Sequence, residues 1–103
     1  MPSDKEYLEF ILGQFSGVDD VVYRPMMGEF LLYYRGKIFG GIYDNRFLVK
    51  SVPSAKKLMP DAAVELPYQG GSKMILVDNP DDSEFLCQLV QAMYDELPLR
   101  KRK

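Results

Sequence analysis

A chain of 103 residues, 47% hydrophobic and 27% charged, has the length for one core and the balance of an ordinary globular domain. It has no histidine and one cysteine, Cys87. That excludes an intramolecular disulfide, a cysteine-based zinc site and proton transfer by imidazole. The formal net charge is −2, but the final residues Arg100, Lys101, Arg102 and Lys103 are all cationic. Residues 1–99 therefore read as one acidic domain and residues 100–103 as a basic tail.

No apolar run approaches the ~20 residues that span a bilayer, and the N-terminus lacks a basic-then-apolar leader pattern. The expected location is the cytoplasm, with no membrane association. Ser3 followed three residues later by Glu6 makes a capping box, and Leu8, Ile11, Leu12 and Phe15 then recur on one helical face. With Gly17 as its stop, the pattern predicts a helix over residues 4–16. From Val21 to Lys50 β-branched and aromatic residues dominate, broken at Gly28, Arg35-Gly36 and Asp44-Asn45. This predicts a meander of strands near 20–24, 29–34, 37–43 and 46–50, with a hairpin across Asp44-Asn45.

Pro53 in a first turn and Pro60 as a stop bound a short helix over Ser54 to Met59. A strand over 63–66, a turn from Pro67 to Ser72 and an apolar strand from Met74 to Val77 follow. The last helix has Asp81 and Asp82 as caps and Glu84 in its first turn. Leu86, Leu89, Val90, Met93 and Leu97 form one stripe that ends at Pro98. Helices flanking a mostly antiparallel sheet define an α+β class.

In the second strand Phe30, Leu32 and Tyr34 alternate with Leu31 and Tyr33, so both faces carry apolar bulk. In the third, Ile38 and Ile42 are expected on one face and Phe39 and Tyr43 on the other, with Gly40 and Gly41 leaving room for a close approach. A sheet with one wet face alternates apolar with polar, and three helices are few to cover two apolar faces. The expectation is an interaction surface formed by Leu31, Tyr33, Phe39, Gly41 and Tyr43, covered by a second copy in a homodimer or by another protein.

Motifs that suggest chemistry fail on spacing. Asp78 to Glu84 is rich in carboxylates but lacks the alternate ligands, sixth-position glycine and twelfth-position glutamate of a calcium loop. A turn and helix cap account for it. In Gly70-Gly71-Ser72-Lys73 the lysine follows the serine and a strand follows the lysine, the wrong order for a phosphate loop. Arg35 to Tyr43 begins like an RNA-stacking strand, but Lys37 stands where an aromatic is required. Nucleic acid is thus not an expected partner, and Arg100 to Lys103 offer at most a weak, unselective phosphate contact. Cys87 has no histidine to activate it and reads as a small residue beside the last helix's stripe. No catalytic, cofactor or metal site is expected.

The run Met26-Met27-Gly28, then Tyr33 or Tyr34, Gly36-Lys37-Ile38-Phe39-Gly40, Arg46-Phe47-Leu48-Val49-Lys50 and Leu66-Pro67-Tyr68 resembles the N-terminal domain of the TfoX/Sxy family, which includes regulators of natural competence. The likeness extends from about Arg24 to the last helix. It implies an α-β-β-β-α-β-β-α order similar to secretion-chaperone-like domains, which often pair as dimers. It also implies a stand-alone copy of that domain, without the helical C-terminal domain of the full-length regulators. No catalytic or ligand-binding residue comes with it. Together, residues and resemblance predict a non-enzymatic regulatory or protein-interaction domain. The alternatives are a small-ligand or weakly enzymatic domain, using Arg24, Tyr33, Tyr34 or Arg46 beside Gly40-Gly41, and a weak nucleic-acid binder.

Overall fold

The computed structural model describes residues 5–26, 28–66, 71, 73–77 and 79–97. Helix α1 (Lys5–Gln14) leads into β1 (Val21–Met26), β2 (Glu29–Tyr34), β3 (Lys37–Tyr43) and β4 (Arg46–Lys50). Helix α2 (Pro53–Leu58), strands β5 (Val64–Glu65) and β6 (Met74–Leu76), and helix α3 (Ser83–Met93) with a 3₁₀ turn at Tyr94–Glu96 complete the order. The strands form one sheet in the order β1-β2-β3-β4-β6-β5, each neighbouring pair antiparallel. The α+β class expected from the sequence is observed, with the four strands read from the residues ahead of the short helix, one more than the resemblance implies.

Two turns set the meander. Arg35 and Gly36 have φ of 53° and 84°, and Asp44 and Asn45 have 55° and 57°. Paired positive φ values make two-residue hairpins whose twist matches their strands, and Gly and Asn tolerate them best. Helix α3 starts as its residues demand, with the Asp82 carboxylate accepting from the Phe85 N–H at 3.1 Å. Helix α1 is shorter than the predicted 4–16: the Phe15 N–H donates to the Leu12 carbonyl and the Val18 N–H to the Phe15 carbonyl, in turns. Ser3, the Pro67 to Ser72 turn as a unit, Pro98 and the basic tail lie outside the described residues.

All three helices pack on one face of the sheet. Leu8, Ile11, Ala55, Leu86, Leu89, Val90 and Met93 meet Leu32, Phe39, Ile42, Phe47, Val49 and Ile75 in one buried cluster. Phe15 is its hub, edge-on to Phe39 at 5.6 Å and to Phe47 at 6.1 Å. Such pairs add about 0.5–1.5 kcal/mol beyond area burial.

Phe39 corrects the sequence reading, which placed it on the opposite face with Tyr43. Leu32 pairs with Gly40 but Tyr33 pairs with Ile38, so β3 holds one extra residue there. A bulge of this kind shifts the alternation by one and turns Phe39 into the helix-covered core. Gly40 makes the irregularity possible: a Cβ there would lie 2.3 Å from the Leu48 carbonyl oxygen of β4.

Polar contacts tie the helices to one another. The Gln14 carbonyl at the end of α1 accepts from Ser83 Oγ at 2.6 Å and from Cys87 Sγ at 3.7 Å, so α3 satisfies a carbonyl that α1 cannot. The Glu96 carboxylate accepts from the Ser54 N–H and Oγ, each at 2.8 Å, placing negative charge at the start of α2. No helix is long and apolar enough, among the described residues, to cross a membrane.

Candidate functional site

The face opposite the helices is also apolar, and strand residues alone build its described buried part. Tyr43, Leu48 and Met74 form a second cluster, with Leu31 and Leu76 partly buried against it. Cross-strand registers confirm the shared face: Gly41 lies opposite Leu31 and Leu48, and Leu48 opposite Leu76. Arg46 of β4 and Glu65 of β5 join across the intervening β6 as an ion pair at 2.5 Å, and Arg46 also donates to the Leu66 carbonyl.

Burial falls away toward β1. Leu48 is fully buried, Leu31 and Tyr33 are half-buried, and Val22, paired with Tyr33, is 54% exposed. Arg24, paired with Leu31, is exposed. The structure therefore brings Leu31, Tyr33, Gly41 and Tyr43 of the predicted surface together and removes Phe39 from it.

The space at the two glycines is already filled. A Cβ on Gly41 would meet the Phe30 carbonyl oxygen at 2.6 Å and the Tyr43 ring at 2.8 Å, while Gly40 is closed by the β4 backbone. The close approach that these glycines permit comes from the protein's own strands and from Tyr43. Nor do the four residues suggested for a pocket there converge. Tyr34 sits in the helix-side cluster, whereas Arg46 is engaged with Glu65 on the other face.

A cleft that local sequence pattern did not reveal lies on the helix side, with a volume of about 460 Å³. The loop after α1 contributes Asp19, the β2–β3 turn Tyr34 and Arg35, and the end of α3 Tyr94 and Asp95. Tyr34 and Tyr94 meet edge to face at 5.5 Å, and the Arg35 guanidinium lies 5.5 and 5.9 Å from their ring centres. Lys37 Nζ sits 4.1 Å from the Tyr94 ring centre and donates to the Tyr94 carbonyl at 3.0 Å. This cap neutralises the negative end of α3. Arg35 is held only loosely, 3.9 Å from Asp20 with both side chains more than half exposed.

Among the described residues no group of three or more His, Cys, Asp or Glu side chains is placed to hold a metal ion. Burial raises the Tyr7 hydroxyl above its ordinary pKa of 10.0. Cys87 is partly buried, beside the Gln14 carbonyl and Gly17. The predicted phosphate contacts, Arg100 to Lys103, lie outside the described residues.

The chain is similar to the uncharacterized 12.7 kDa protein in the trpE 5′ region of Spirochaeta aurantia. They are 28% identical over 79 residues, covering 77% of this chain and 69% of that protein. No family model matches the chain. No solved structure matches it significantly.

Proposed function

We propose that this is a non-enzymatic regulatory domain of the cytoplasm that works by docking protein on the open side of its sheet. One observation carries the reading: apolar side chains continue from the buried Tyr43–Leu48 cluster outward through Leu31 and Tyr33 to the exposed Val22, with no described helix over them. Docking would bury apolar area worth roughly 25 cal/mol per Å², which is the driving force for association. The resemblance to the N-terminal domain of TfoX/Sxy competence regulators supports the same reading. A homodimer is the simplest occupant of such a surface.

The test is comparative affinity capture with the wild type and the Leu31→Lys/Tyr33→Ser variant. A specific partner retained by the first and lost by the second, with unchanged circular dichroism, is the expected result. Identical partner profiles would overturn the reading. The cleft at Tyr34, Arg35 and Tyr94 supports a second reading, a small-ligand site, which a thermal-shift screen of metabolites would detect as stabilisation.

A further inference from the structure

The two edges of the sheet are unlike. β5 has two residues, and Glu65 is tied to Arg46. β1 has six and, among the described residues, borders only β2. A long free edge is a template for another strand unless something blunts it.

The outward groups of β1 follow from its register. The Arg35 N–H donates to the Asp20 carbonyl at 3.0 Å, one step before the Val21–Tyr34 pair. Hydrogen-bonded pairs alternate along an antiparallel ladder, so Val22 and Arg24 bond inward to β2. Val21, Tyr23 and Pro25 then point their backbone groups away from β2. Pro25 costs the ladder nothing, because its missing N–H falls on the outside.

We propose that two copies of this chain pair antiparallel along β1, in a register centred on Val22, to make one continuous sheet. In that register Val21 lies opposite the partner's Tyr23, and the two equivalent pairs make four N–H···O=C bonds without using Pro25. Val22, 54% exposed, meets the partner's Val22. Arg24 falls opposite the partner's Asp20, twice by symmetry. Asp20 can take this role because Arg35 holds it only at 3.9 Å with its side chain mostly exposed.

Competing registers are poorer. Centring on Tyr23 also allows four bonds, but it sets Pro25, which has no N–H, opposite the partner's Val21 and leaves Arg24 opposite the partner's Val22, with no carboxylate to meet. Centring on Arg24 places like charges face to face. The charge order Asp20, Val22, Arg24 is self-complementary only about Val22. So small a contact makes a weak dimer, on the order of micromolar or weaker, that weakens further with salt.

The inference shares with the docking reading only that the domain associates, and the experiment separates them. Sedimentation equilibrium over a concentration series gives the mass, and amide exchange by NMR at the same concentrations gives the edge. The expected result is a dimer whose Val21 and Tyr23 N–H groups gain protection as concentration rises, while Val22 and Arg24 are protected throughout. Arg24→Glu should weaken the dimer about tenfold or more, with an unchanged circular-dichroism spectrum, because two ion pairs become repulsive at once. Val22→Lys should act in the same direction. A monomer at every concentration would overturn the proposal and leave docking of a different protein untouched. A dimer whose Val21 and Tyr23 amides exchange freely would overturn it too, and would favour the open face as the dimer contact.

Discussion

The helix side and the open side of the sheet start from similar raw material and end differently. On the helix side Phe39, Phe47 and Ile42 are sealed by side chains from α1, α2 and α3. On the other side Leu48 is equally buried, but its described apolar neighbours are strand residues, and burial fades toward Leu31 and Val22. Alternation along a strand thus shows that a face can be buried without showing what buries it.

Three substitutions sharpen this contrast, and the helix side should respond most. Phe39→Ala removes an aromatic that is 1% exposed and in contact with the Phe15 hub, so a loss of about 3–5 kcal/mol is expected in urea unfolding. A loss under 1 kcal/mol would mean that the bulge does not turn Phe39 inward. Leu48→Ala should cost about 2–3 kcal/mol, toward the low end for a buried leucine, because a smaller cluster can relax around the gap. If it cost as much as Phe39→Ala, the two faces would be energetically alike.

Tyr7→Phe gives the smallest effect, and it is confined to alkaline pH. Burial favours the neutral phenol in the folded state, so its pKa is higher folded than unfolded. The associated stability is complete below pH 10 and is lost as pH rises through 10 toward the raised folded value. The variant should lose less stability than the wild type between pH 9 and 11, measured by denaturant midpoints. Parallel pH curves for both proteins would show that Tyr7 is not the group responsible.

Much of the fold was legible because its determinants are local. The Asp44-Asn45 and Arg35-Gly36 turns bound strands whose limits match the observed β2, β3 and β4, and Asp82 marks the start of α3. What was not legible depends on distant residues. The bulge that moves Phe39 rests on how Gly40 fits against the β4 backbone, which no alternation pattern encodes. The cleft depends on Tyr34 and Arg35 of the β2–β3 turn region meeting Tyr94 at the far end of the chain's last described helix. Of the predicted surface, Leu31, Tyr33 and Tyr43 were readable as apolar residues on alternating positions. That the Tyr43 ring fills the space above Gly41 was not.

The hydrogen bond from Ser83 to the last carbonyl of α1 joins positions 69 apart. The chain's first helix therefore completes its capping only with groups from its last, after the whole meander has been made. During synthesis α1 would emerge early and wait for α3, while the hairpins between them can pair as they appear. A fragment ending before Ser83 should accordingly leave the α1 amides open to hydrogen exchange. Rapid protection of those amides in such a fragment would show that the first helix settles without the last.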